Sequence, residues 1–146
     1  MTTRPIFTST DDTDTVLKHY LLALAWSETD DNCDPLDDLG FDWLDDDLAP
    51  LKTAIRLWCQ RHSALIDEYL EAGQTLEQLG HDLCLTSGHH GVGFWDRGLG
   101  QLGKDLTTAS DEMPEAGSDM EVWVEDSHLR VQIPAKYTQQ IGSEVK

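Results

Sequence analysis

The densest group of side chains that could do chemistry lies between His81 and Gly98. This run holds three of the six histidines of the chain, with two carboxylates and one arginine among glycines. Imidazole and carboxylate groups could bind a divalent metal ion there, or a His–Asp pair could act as an oriented general base. The spacing matches no standard metal motif, and HExxH is absent. The candidate ligands are His81, Asp82, His89, His90 and Asp96.

A structural interpretation of the same run competes with the catalytic one. Its glycines permit close packing and tight turns. In this interpretation Phe94 and Trp95 enter the core, and Asp96 pairs with Arg97 or caps the helix that follows. A structural role is therefore the interpretation that we favour for His81, Asp82, Thr86, His90, Gly91, Gly93, Phe94, Trp95, Asp96 and Arg97.

The run also resembles a segment of small, mostly uncharacterised proteins of bacteriophages, prophages and plasmids. In those proteins the segment usually reads His-Asp-Phe-Trp-Leu-Thr-Arg-Asn-Gly-His-Gly-Ala-Gly-Phe-Trp-Asp-Arg-Gly. This chain has Ser87 and Gly88 in place of the Arg-Asn pair. The resemblance implies an origin in a mobile element and implies no particular reaction. The matching positions are His81, Asp82, Leu85, Thr86, His90, Gly91, Gly93, Phe94, Trp95, Asp96, Arg97 and Gly98.

A second group consists of carboxylates alone. Residues 28–47, here called the acidic segment, contain ten acids and no base. The segment starts like an EF-hand calcium loop, but Pro35 replaces the required glycine and Phe41 replaces the required bidentate glutamate. We therefore favour a solvated loop, held to the domain surface by its interspersed apolar residues, and a weak, non-selective cation site stays open as the alternative.

The charge of the whole chain limits the classes of partner. There are 28 acidic residues against 10 Lys and Arg, which gives a net charge of −18. Such a charge repels nucleic acid and anionic lipid, so direct binding to either is not expected. The basic surface of a nucleic-acid-binding protein or complex is the expected partner, and a homodimer stays open.

Cysteine usage and missing motifs give further expectations. The three cysteines are odd in number and widely spaced, which predicts no disulfide framework and a reducing compartment. Cys59 and Cys84 lie among leucine and tryptophan, so we expect buried, inert thiols there. The sequence contains no Gly-x-Ser-x-Gly elbow and no phosphate-binding glycine loop with lysine. We expect no cofactor and no metal. We expect a location in the host cytoplasm, because a signal-peptide pattern and a membrane-spanning apolar run are both absent.

The sequence patterns predict the elements that position these residues. They indicate an α+β fold, with three or four helices packed against a small C-terminal antiparallel hairpin. Periodicity predicts a first helix over 11–28 and a second from Pro50 to Gly73, capped by Asp47 or a neighbour. Thr75 and Gln78 form a capping-box pattern before a third helix, and 99–108 could form a fourth. Alternating residues over 121–125 and 129–133 predict the hairpin. We expect one domain over 11–135, with flexible ends at 1–10 and 136–146.

Three functions remain open at this level. The first is an inhibitory accessory protein of a mobile element, directed against a restriction or CRISPR system, whose carboxylates mimic nucleic-acid phosphates. The second is a small metal-dependent or acid–base enzyme centred on His81, His90 and Asp96. The third is an acidic accessory protein whose charge serves solubility only. The partner-binding residues of the first are Asp30, Asp31, Asp34, Asp37, Asp38, Asp42, Trp43, Asp45, Asp46 and Asp47.

Overall fold

A computed structural model describes residues 10–30, 32–88 and 93–139 of the chain. These residues form five α-helices and one antiparallel hairpin, so the predicted α+β class is confirmed. The elements are α1 (Thr10–Ser27), α2 (Asp45–Arg61), α3 (Ser63–Glu71), α4 (Leu76–Ser87), α5 (Gln101–Ser110), β1 (Glu121–Glu125) and β2 (His128–Gln132), with short 3₁₀ helices at Leu36–Leu39, Phe94–Arg97 and Ala135–Thr138.

The first helix, α1, packs closely against α4. Val16, Tyr20 and Leu24 form its buried stripe, at the spacing of four that places side chains on one helical face. On α4, Gly80 faces this stripe. A Cβ atom there would clash with the carbonyl oxygen of Val16 and lie 2.9 Å from the Tyr20 amide nitrogen, so glycine sets how closely the two helices approach.

The predicted long second helix is wrong in two respects. It is two helices, α2 and α3, because His62 leaves helical geometry at φ −111° and ψ 30°. In addition, α2 begins at Asp45 and contains Pro50 in its interior. The aspartates of its first turn interact favourably with the positive end of the helix dipole, which favours a helix start before Pro50. Asp47 is thus a first-turn residue, and Leu44 precedes the helix.

The capping prediction for α4 is confirmed at Thr75. Its hydroxyl oxygen accepts a hydrogen bond of 3.1 Å from the Gln78 amide. The 3₁₀ helix that begins at Phe94 precedes α5, which starts two residues later than predicted. Trp58, fully buried on α2, donates from its indole nitrogen to the Ala109 carbonyl at 2.8 Å and fixes α5 against α2.

The predicted hairpin is present, with Val122 opposite Val131 and Val124 opposite Leu129. Asp126 and Ser127 form a two-residue turn with positive φ at both positions, as a type I′ turn requires. After β2, the 3₁₀ helix Ala135–Thr138 packs on α2, and the Tyr137 hydroxyl donates to Asp119. Tyr137 is thus in contact with the rest of the fold, while the domain bounds of 11–135 stay a prediction.

Within the residues that the structure describes, none of the helices has the length and apolar character needed to cross a lipid bilayer.

Candidate functional site: an acidic surface beside an apolar groove

The acidic segment connects α1 to α2 and is fixed in place by the hairpin. The Leu44 amide donates to the Leu129 carbonyl at 3.0 Å, and the Leu129 amide donates to the Asp42 carbonyl at 2.9 Å. These two bonds attach the end of the segment to β2 like a short additional strand.

A small apolar cluster anchors the middle of the segment. Leu36 is fully buried with Ala25 of α1 and Leu129 of β2, and Trp43 packs against this cluster. Trp43 is half-buried, so it serves mainly as an anchor of the segment. The apolar residues therefore hold the loop to the domain surface, as the sequence predicts.

The start of the segment is shaped by Asp30. Its carboxylate accepts hydrogen bonds from the amides of Asn32 (2.9 Å) and Asp34 (3.0 Å), an arrangement typical of a tight Asx turn. Cys33 adopts a positive φ within the same turn. Asp30 is half-buried, and its carboxylate is already hydrogen-bonded to these backbone amides. Asp31 lies outside the described residues.

Most of the other candidate carboxylates point into solvent. Because the backbone beneath them is held by hydrogen bonds and buried side chains, they form a fixed acidic surface. The exposed members are Asp34, Asp37, Asp38, Asp42, Asp45 and Asp46.

Asp47 differs from these six residues. Its carboxylate forms a bidentate ion pair with Arg130, at 2.6 Å to Nε and 3.1 Å to Nη2, and accepts from the Val131 amide at 3.2 Å. The hydrogen bond from Arg130 lowers the pKa of Asp47, against the effect of partial burial. Asp47 therefore joins α2 to β2 and is occupied within the fold.

A groove of about 440 Å³ runs beside the acidic surface, between α1 and the segment. One wall is a stripe of α1 in which residues recur at spacings of three and four, and Phe41 with Trp43 forms the other wall above Leu129. Two of the lining residues are exposed apolar side chains, Leu22 at 54% and Phe41 at 36%. Sequence reasoning missed this groove. A signal was present, because Leu22 lies off the buried stripe of α1.

The run from His81 to Gly98 contains a buried polar network. Asp82 is 1% exposed and pairs with Arg97 at 3.0 Å (Nε) and 2.8 Å (Nη2), while the Tyr69 hydroxyl donates to it at 2.7 Å. Of the two roles expected for Asp96, the ion pair with Arg97 is wrong, because Arg97 pairs with Asp82. This network joins α3, α4 and the 3₁₀ helix that begins at Phe94.

A second set of contacts fixes the start of the 3₁₀ helix Phe94–Arg97. The Phe94 amide donates to the Thr86 hydroxyl at 3.2 Å, and Asp96 accepts from the Gly93 amide at 3.3 Å. A Cβ atom on Gly93 would clash with the Thr86 hydroxyl, so the close approach requires glycine. Phe94 is fully buried and meets the Tyr69 ring edge-on, with centroids 5.6 Å apart. Trp95 was expected in the core, but it is 43% exposed.

The remaining catalytic candidates are not assembled into a site by the described residues. His81 is half-buried on α4, whereas His89, His90 and Gly91 lie outside the described residues. Over 10–30, 32–88 and 93–139, no three His, Cys, Asp or Glu side chains are grouped so that they could hold a metal ion. Burial raises the pKa of the Cys59 and Cys84 thiols, as expected for inert cysteines.

Comparison of the chain with protein-family models, with curated proteins and with solved structures finds no match.

Proposed function

We propose that this chain is an acidic inhibitor that binds the basic surface of a nucleic-acid-handling protein through its acidic segment. Its carboxylates would take the place of nucleic-acid phosphates. In a mobile element, which the family resemblance suggests as its origin, the natural targets are restriction and CRISPR systems of the host.

One observation supports this proposal above the others. The segment presents six exposed aspartates on a backbone that is anchored at Leu36, Trp43 and the Leu44–Leu129 hydrogen bond. Duplex DNA carries one charge per roughly 1.7 Å of axis, so a groove lined with Lys and Arg favours dense negative charge. A prearranged acidic surface avoids the entropic cost of ordering a flexible loop upon binding.

The enzyme alternative receives less support from the described residues. The Asp82 carboxylate, one of the two acids among the candidate groups, is buried and already bonded to Arg97 and Tyr69. A general base must instead reach the proton of a substrate.

The proposal is tested by capture from a bacterial lysate at low and at high salt, followed by elution with duplex DNA. One variant neutralises part of the segment: Asp34→Asn, Asp38→Asn, Asp45→Asn and Asp46→Asn. A matched control neutralises four exposed glutamates outside the segment: Glu68→Gln, Glu71→Gln, Glu77→Gln and Glu121→Gln. Both sets change the net charge equally.

The wild-type chain and the control should capture nucleic-acid-binding proteins at low salt and release them to duplex DNA, while the segment variant captures far less. Circular dichroism establishes that both variants are folded. Equal capture by the two variants, or captured proteins that duplex DNA does not displace, would contradict the proposal.

A further inference from the structure

The groove beside the acidic segment is open to solvent along one face of α1. Its α1 wall runs from Asp14 to Ala25, and a helix rises about 1.5 Å per residue, so the wall is about 16 Å long. That length accommodates three successive apolar contacts of a helix, at positions i, i+4 and i+7.

The groove is lined mainly by apolar side chains. Leu17, Leu21 and Leu129 form its buried part, and the exposed Leu22 and Phe41 stand at its edges. Trp26, one helical turn beyond Leu22 on α1, is 59% exposed. An apolar groove of this kind is the surface on which an amphipathic helix lays its apolar face.

The rim of the groove is predominantly acidic. Asp37 and Asp42 line it on the side of the segment, and Asp14 and Lys18 line it on the side of α1. Asp14 forms an ion pair with Lys52 at 2.6 Å. The segment side therefore presents carboxylates without a base, and it complements a ligand that carries positive charge next to its apolar side chains.

We propose that this groove binds a cationic amphipathic helix of the partner protein, with two or three large aliphatic side chains in the groove and Lys or Arg against Asp37 and Asp42. This proposal rests on the proposed function and specifies the chemistry of the partner. Charge alone speeds encounter and gives limited selectivity, whereas a desolvated apolar contact supplies affinity and register.

Two synthetic peptides test the groove by calorimetric titration. The first is a helical Lys/Arg-rich peptide with leucine at positions i, i+4 and i+7. The second has alanine at those three positions, which preserves charge and helicity and removes the apolar contacts. The protein variants are Leu22→Ser and Phe41→Ser, and the matched control is Trp95→Ser, an exposed apolar residue outside the groove.

The leucine peptide should bind the wild-type chain about tenfold or more tightly than the alanine peptide, because burial of leucine contributes to binding free energy. Leu22→Ser and Phe41→Ser should abolish this difference, and Trp95→Ser should keep it. The variant with asparagine at 34, 38, 45 and 46 should weaken the binding of both peptides to a similar degree, because the two peptides carry the same charge. Asp37 and Asp42 remain beside the groove in this variant.

Each contrary result has a distinct meaning. Equal affinity of the two peptides for the wild-type chain overturns the groove proposal and leaves the proposed function standing. Absence of binding by either peptide at low salt contradicts both. Self-association that Leu22→Ser or Phe41→Ser abolishes would assign the groove to a second copy of this chain and overturn the proposal.

Discussion

At the scale of single residues, Asp82 is the clearest case of a group whose role depends on its partners. A buried carboxylate is costly unless it is paired and hydrogen-bonded, and Asp82 meets both conditions through Arg97 and Tyr69. The sequence placed Asp82 in a chemically suggestive run, but it could not show that Tyr69, 13 positions earlier, supplies a hydroxyl to it.

Arg97→Ala should therefore destabilise the fold. Loss of the guanidinium leaves the buried Asp82 carboxylate without its charge partner, which costs about 3 kcal/mol in the free energy of unfolding. Tyr69→Phe removes one hydrogen bond and should cost about 1 kcal/mol. Urea unfolding measures both. Arg56→Ala, at an exposed position of α2, is the control, and an Arg97→Ala effect no larger than the control would exclude a stabilising network.

Asp47 predicts a specific dependence of stability on pH. Its pKa is lowered in the folded state by Arg130, so its stabilising contribution is present above the ordinary carboxyl pKa of about 4 and is lost as the pH falls through the folded value. Asp47→Asn should lower the free energy of unfolding at neutral pH, and the difference from wild type should shrink below about pH 4.

The adjacent Asp46→Asn is the control for this measurement, because Asp46 is exposed on the same turn of α2. Its effect should be smaller than that of Asp47→Asn. Equal losses for the two variants at neutral pH, or a difference that grows on acidification, would contradict the assigned role of Asp47.

At the scale of elements, the close contact between α1 and α4 depends on Gly80. Gly80→Ala improves helix propensity by about 1 kcal/mol, but the added Cβ must displace the backbone of α1, and such overpacking costs about 1–3 kcal/mol or more. We expect a net loss in thermal stability. Gly103→Ala is a graded comparison, with its Cβ 3.1 Å from the Phe94 carbonyl oxygen, and should lose less. A Gly80→Ala protein more stable than the wild type would contradict the claim that the close contact between α1 and α4 requires glycine at this position.

Local patterns predicted those elements whose signals lie within a short window. The stripe of α1, the Thr75 cap and the alternation of β1 and β2 are of this kind, and each is present. The break between α2 and α3 is different. It occurs at His62, whose ring bonds to Glu112 at 2.9 Å and packs against Trp58, so one partner lies 50 residues away.

The candidate site was predictable only in part for the same reason. The acidic segment was evident from composition, and its apolar residues indicated that it was anchored. The pairing of Asp47 with Arg130 spans 83 residues, and the groove combines α1, the segment and Leu129. Neither can be seen from a pattern of neighbouring residues.

At the scale of the whole molecule, the net charge of −18 works against the folded state through self-repulsion. Salt screens this repulsion, with a Debye length near 8 Å at about 0.15 M. The free energy of unfolding should therefore rise with added sodium chloride and level off below about 1 M, where screening is nearly complete. A steady rise into molar salt would instead favour the alternative in which the charge serves solubility alone.

The central claim is that the acidic segment, and not the total charge, binds a basic partner surface. The most direct test uses the protein that is captured from the lysate and released by duplex DNA. This protein is titrated with the wild-type chain, with the segment variant and with the matched glutamate control, each over a range of salt concentrations. Exposed ion pairs contribute about 0.2–1 kcal/mol each, so the segment variant should bind about tenfold more weakly. Its affinity should also depend less steeply on salt. The glutamate control should bind with an affinity close to that of the wild type. Identical affinities and salt slopes for the two variants would contradict the claim.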